Sequence, residues 1–227
     1  MIFLNEHDPS IGPKCLITTS FICVILLCAW LMFGDVNGIA DWLKPYKIKG
    51  DVIRRIILLC CSIIYFFRVL VSIFVFMKRK MVWVEAITIS IIMPAILFVL
   101  LYVGGNKSHP VNIIDAIGIL LYIGGSYINT QSEYSRHIWK MRPENQGHLY
   151  TGGMFMYSRH INYFGDVVLF TGFAIITQNT AMLFIPLFMA LNFAFILIPS
   201  LEAHLERKYG EEFKIYASRT MKFFPYL

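Results

Sequence analysis

The chain has 227 residues, 57% hydrophobic and 15% charged, with a mean hydropathy of +0.63 and a net charge of +6. Soluble domains are about 45–50% apolar and about 25% charged, so this much apolar surface needs lipid as its solvent and excludes a soluble globular fold. The apolar runs are long and continuous, which excludes a β-barrel, and the basic residues border those runs without forming a basic domain, which points to a membrane surface and away from nucleic acid.

A helical span needs roughly 20 apolar residues. Six stretches qualify: 15–34, 53–77, 82–104, 111–130, 162–178 and 180–199. The last two are separated by Gln178, Asn179 and Thr180, which predicts a tight helical hairpin. Backbone groups in lipid must be satisfied within their own segment, so an all-α integral membrane protein of six or seven transmembrane helices is expected. The cysteines (Cys15, Cys23, Cys28, Cys60, Cys61) lie in or beside apolar runs without metal-ligand spacing, so no metal site is expected. The first run is long enough to span and lacks a small-x-small exit, so no cleavable signal peptide is expected.

Loop charges orient the bundle. With six spans, one side carries Lys14, Lys78, Arg79, Lys80, Arg136, Lys140, Arg142, Arg159 and five basic residues of the tail. The other carries Lys44, Lys47, Lys49, Arg54, Arg55 and Lys107, and Arg68 lies inside a span. The bias predicts both termini and the 131–161 loop in the cytoplasm. The chain divides on this reading into N-terminal transmembrane helices over 1–110 and a cofactor-binding transmembrane domain over 111–227 that carries the loop and tail.

Polar residues inside or beside spans are costly and mark sites. In the second span, Tyr65 and Arg68 sit within IIYFFRVLV. A buried phenol seeks a partner and can donate a proton; interhelical packing is the competing role. Arg68 calls for a buried acid, with Asp115 and Asp166 as candidates. The segment 124–155 holds Asn129, Glu133, Arg136, Lys140 and Arg142. Several cations among amide and carboxylate groups suit a phosphorylated cofactor, and also suit anionic lipid. In RHINYFGD, 159–166, Asn162 and Asp166 share a helix face at i and i+4, with Arg159 and His160 at its mouth. The tail 201–225 reads as an amphipathic helix with a glycine break, with Glu202, His204, Arg207 and Tyr209 as polar contacts and an aromatic face of Tyr209, Phe213 and Tyr216.

The blocks YINTQSEY, MRPENQGHLYTGGMFMYSRHINYFGD and IPSLEAHLERKYGEEFKIYASRT resemble, in that order, the C-terminal domain of steroid 5-alpha-reductases and their bacterial relatives of undefined substrate (DUF1295-like). The resemblance covers about residues 124–227, with YFFR at 65–68 as a further point. It implies a helical membrane fold that binds NADPH between its helices and reduces a carbon–carbon double bond conjugated to a ketone. By matching position it implies cofactor contacts at Asn129, Glu133, Asn162, Asp166 and Tyr209, with Arg159 and His160 beside them. Lys140 or Arg142 is then the phosphate-binding cation, and Tyr65 the acid that hydrogen-bonds the substrate ketone. Ile161 stands where the motif has proline, and Leu201 where it has arginine. Isoprenylcysteine and phospholipid methyltransferases share the architecture, and residues Glu202 to Tyr216 are similar to their tail, which implies S-adenosylmethionine as the alternative cofactor. The implied partners are the bilayer and a lipophilic small molecule. A membrane protein that only scaffolds or binds lipid is the non-enzymatic reading.

Overall fold

A computed structural model of the chain describes residues 8–34 and 45–225; Lys44, used in the charge count, lies outside them. The elements are α1 (Ile11–Phe33), α2 (Val52–Val71) running into a π-helical turn (Ser72–Phe76), α3 (Trp83–Gly105), α4 (Ile113–Met141), α5 (Ile161–Ile176), α6 (Phe184–Asn192), a second π-helical turn (Phe193–Leu197), α7 (Ile198–Tyr209) and α8 (Glu211–Arg219). The described residues contain helices and no β-strand.

Five helical segments are long and apolar enough to cross a membrane: Ile11–Phe33, Val52–Phe76, Trp83–Gly105, Ile113–Met141 and Thr180–Tyr209. This is the makeup of a multi-pass membrane protein. The fifth expected span, 162–178, is α5, a shorter apolar helix of 16 residues. At 1.5 Å per residue it reaches about 24 Å, against a hydrocarbon core of about 30 Å.

Two element bounds correct the sequence reading. Residues 131–141 are not loop, because α4 runs on to Met141 and stops before Pro143. Hydropathy falls near Thr130, but no helix breaker intervenes before the proline, whose ring disfavours helix at the residue preceding it. The last span likewise continues past residue 199 to Tyr209, and Gly210, at φ 53°, turns the chain into α8. A side chain at that φ is strained, so glycine ends the helix.

The chain forms two compact units. The first comprises residues 1–120 and 172–183. Its core holds Ile17, Phe21, Cys28, Leu58, Leu97, Leu100, Leu101, Phe173 and Ile176. Its polar centre is Arg54, which is fully buried. The guanidinium donates Nε to Asp115 Oδ1 at 3.0 Å and Nη2 to Asp115 Oδ2 at 2.9 Å. Nη1 donates to His109 O at 2.7 Å. Asp115 also accepts from Asn112 N at 2.9 Å and Gln178 Nε2 at 2.5 Å. A fork-on-carboxylate pair with its remaining donors and lone pairs satisfied is the arrangement that makes a buried charge pair tolerable. The sequence reading counts Arg54 among the charges flanking the spans and offers Asp115 or Asp166 to Arg68. Arg54 instead lies in the first turn of α2 and takes Asp115, while Arg68 stacks over the Tyr65 ring at 5.1 Å.

The second unit comprises residues 121–171 and 184–227. Its α4 and α5 cross at two glycines. A Cβ on Gly125 would stand 2.3 Å from Leu169 N, and one on Gly165 would stand 2.7 Å from Asn129 N. Small residues let helix backbones touch in lipid. This crossing sets the level at which Asn129 and Asn162 meet.

Candidate functional site

In the second unit, α4 presents Asn129, Glu133, Arg136 and Lys140 at i, i+4, i+7 and i+11, which is one helical stripe. Asn129 is buried and donates Nδ2 to the backbone carbonyl of Asn162 at 2.9 Å. Asn162 in turn donates Nδ2 to Glu133 Oε1 at 2.8 Å. The other oxygen of Glu133 pairs with Arg136, whose guanidinium lies 5.4 Å over the Phe155 ring. Three residues assigned to the cofactor by resemblance therefore form one hydrogen-bonded chain across α4 and α5. Asp166, one turn beyond Asn162, is half-buried.

Arg159 and His160 enter a second cluster, centred on Glu202 of α7. Arg159 Nε donates to Glu202 Oε1 at 2.8 Å, and Arg159 Nη1 donates to the carbonyls of Ala217 at 2.8 Å and Thr220 at 2.6 Å. His160 Nε2 lies 3.3 Å from Glu202 Oε1, and Lys222 Nζ 3.4 Å from Oε2. Burial pushes the His160 imidazole below its usual range, although the bond to Glu202 acts in the opposite direction. A neutral imidazole facing a carboxylate must carry its proton on Nε2 to donate. The ring stacks on Tyr163, centroids 5.8 Å apart, and Tyr163 stacks on Phe193 at 4.7 Å, where the second π-helical turn begins.

A third contact joins Lys140 to Tyr209, Nζ donating to the hydroxyl at 3.3 Å. The ammoniums of Lys140 and Lys208 lie 5.9 and 5.4 Å from the Tyr209 ring centre, and both side chains are exposed. Arg142 stands exposed just past α4, where its backbone nitrogen donates to Trp139 O, and it is not joined to these clusters. The break at Gly210 also separates Tyr209 from the other two tail aromatics. Phe213 and Tyr216 are buried on α8, where Tyr216 donates its hydroxyl to Phe155 O at 2.6 Å and burial pushes its phenol up.

Tyr65 belongs to the first unit. It is buried, donates its hydroxyl to Met93 Sδ at 3.7 Å, and packs on Phe21 with centroids 6.0 Å apart. Glu202 is the residue whose role sequence reading missed. It was noted as a polar contact of the tail, but only the fold brings it to Arg159 and His160, 43 and 42 positions away.

The donor set fits a phosphorylated dinucleotide. The exposed end of the unit holds two ammoniums close enough to share one tyrosine ring, an arrangement of like charges that an anion relieves. Further along the same stripe stand the amide of Asn129 and the carboxylate of Glu133.

The sequence profile of the family described as "Protein of unknown function (DUF1295)" matches residues 67–220, about two thirds of the chain. The chain belongs to this family. The matched region contains every cofactor-contact candidate and begins two residues after Tyr65. No curated protein matches the chain.

Proposed function

We propose that this member of the DUF1295 family is a membrane-embedded, NADPH-dependent reductase acting on the conjugated double bond of a lipophilic enone, sterol-like or polyprenoid-like. The observation that carries the reading is the Asn129–Asn162–Glu133 chain, since it links three positions that the steroid-reductase resemblance assigns to the cofactor. NADPH, when bound, supplies the hydride. Lys140 and Lys208, with Arg142 nearby in sequence, neutralise phosphate charge. Asn162 and Glu133 orient the cofactor, and Arg159 with Glu202 holds the tail that bears Tyr209. Tyr65 polarises the substrate carbonyl and donates a proton to its oxygen. The loop after α4 and the tail face the cytoplasm, where soluble NADPH is available.

The test is isotope transfer. Purified protein in nanodiscs is given deuterated NADPH and farnesal, a polyprenoid enal, and the product is analysed by mass spectrometry. Deuterium at the carbon β to the carbonyl supports the reading; consumption of neither reagent, with farnesal and with progesterone alike, contradicts it.

A second reading has its own support. Glu202 lies in the E-x-x-L block that resembles the methyltransferase tail, and it binds Arg159 and His160 of the RH element common to both enzyme classes. An S-adenosylmethionine-dependent methyltransferase of the isoprenylcysteine or phospholipid type is therefore the alternative.

A further inference from the structure

Helical hydroxyls in the first unit turn back on their own helix. Ser62 donates to Leu59 O at 2.8 Å, Thr88 to Val84 O at 2.8 Å and Thr177 to Ala174 O at 2.6 Å. This is the ordinary way to satisfy a hydroxyl among apolar neighbours. Ser90 of α3 departs from it: its Oγ is buried and has no hydrogen-bond partner among the described residues.

The backbone of the same residue is exceptional for an independent reason. Pro94 lies inside α3, four residues on, and has no N–H to return to the carbonyl of residue 90. One level of α3 therefore presents both an unused O–H and a carbonyl relieved of its helical partner. That level belongs to the inward stripe of the helix, between buried Ala86 and buried Pro94. A buried polar group without a partner costs stability and calls for an explanation.

The neighbours suggest one. Met93, one turn along α3 from Ser90, is the residue whose sulfur accepts the Tyr65 hydroxyl, at 3.7 Å. The guanidinium of Arg68 lies over the Tyr65 ring. Phe21 packs on the Tyr65 ring, and Leu97, two turns along α3 from Ser90, is fully buried.

We infer that Ser90, one turn from the methionine that meets Tyr65, forms with that tyrosine a notch in the first unit that binds the oxygen-bearing end of an otherwise hydrocarbon ligand. The Ser90 hydroxyl donates to the ligand oxygen, and the carbonyl of residue 90 accepts where that oxygen carries a proton. A hydroxyl donor and a carbonyl freed from its helical bond suit a single carbonyl or hydroxyl group at the end of the ligand. Ser90 is a binding and positioning residue beside Tyr65. The inference rests on the reductase reading for the reaction that follows binding, but not for the binding itself.

The test uses the full chain in nanodiscs and three probes of similar length: farnesal with a carbonyl, farnesol with a hydroxyl, and farnesene with no oxygen. Equilibrium binding is measured for wild type, Ser90→Ala and Ser90→Thr, with NADPH binding measured in parallel. Wild type is expected to bind farnesal or farnesol at least about tenfold more tightly than farnesene, Ser90→Ala to narrow the gap to about twofold, and Ser90→Thr to keep it. The melting temperature of ligand-free Ser90→Ala is expected to be no lower than wild type, since the change removes an unsatisfied group. Equal affinity of wild type for all three probes, including no binding of any, overturns the inference, as does an undiminished preference in folded Ser90→Ala. An oxygen preference without NADPH binding upholds the notch and removes the reductase reading. NADPH binding without the preference does the reverse.

Discussion

The Arg54–Asp115 pair of the first unit and the charge clusters of the second are enclosed to different degrees. In the first, Arg54 and Asp115 are wholly withdrawn from solvent and bonded to Gln178, the nitrogen of Asn112, and carbonyls of the 107–110 connection. Such a pair holds elements together and has nothing left to offer a ligand. In the second unit the charged groups are only partly enclosed. Glu133, Arg136, Glu202 and Asp166 keep some access, and Lys140, Lys208 and Arg142 are exposed. The contrast is between one wholly enclosed pair and charged groups that keep access to a ligand.

Mutations that exploit this difference should rank accordingly. The largest effect is expected from Asp115→Ala, which leaves Arg54 as a bare buried cation at a cost of about 3–5 kcal/mol. Folded yield after detergent extraction should collapse. Replacing both partners, Arg54→Met with Asp115→Leu, should recover most of it; failure of the double change to recover more than Asp115→Ala would show that the pair does more than hold the fold. Glu202→Gln comes next. It weakens charge-assisted bonds from Arg159 that are worth about 1.5–3 kcal/mol, so thermal stability should fall by less than in Asp115→Ala, and NADPH affinity should fall with it.

Asn162→Ala and Asp166→Ala should leave the fold intact and weaken NADPH binding about tenfold, or about 1.4 kcal/mol. Equal affinity in folded variants would remove both from the site. Tyr65→Phe tests the other unit, and should lower turnover of an enone while NADPH affinity stays within about twofold. A fall in cofactor affinity with turnover per bound cofactor preserved would place Tyr65 in the binding shell.

The smallest effect is a pH dependence. The His160 imidazole is held below its usual value, so the unfolded chain takes up a proton first as pH falls through about 6.5. Stability that is fully present above this value is then lost progressively below it, down to the folded value. His160→Gln should flatten the melting-temperature profile between pH 7 and pH 5; an unchanged slope would assign it to other groups.

Five of the six expected spans were legible because about 20 apolar residues in a row have one physical solution in lipid, and the glycine break at 210 because only glycine takes a positive φ there without strain. Asn162, which joins Asn129 and Glu133, stands out in the sequence through its polarity at the edge of an apolar run. Arg54 does not. It sits beside Arg55 at the boundary of a span, where hydropathy reads a flanking charge, and its partner is 61 positions away. Glu202 was hidden for the same reason, since the sequence shows an acidic tail residue but not the fold that carries Arg159 to it. The continuation of α4 to Met141 was visible in one respect only, the lack of a breaker before Pro143. Hydropathy reports solvent preference, while helix ends are decided by caps and prolines.

The central claim is that the second unit binds NADPH, and thermal stabilisation tests it most directly. A ligand that binds only the folded protein contributes about 2.7 kcal/mol at a hundredfold excess over its dissociation constant. The account predicts a saturable rise in melting temperature with NADPH that is lost in Asn162→Ala, and none with S-adenosylmethionine. A rise with S-adenosylmethionine alone, or with neither ligand, would contradict it.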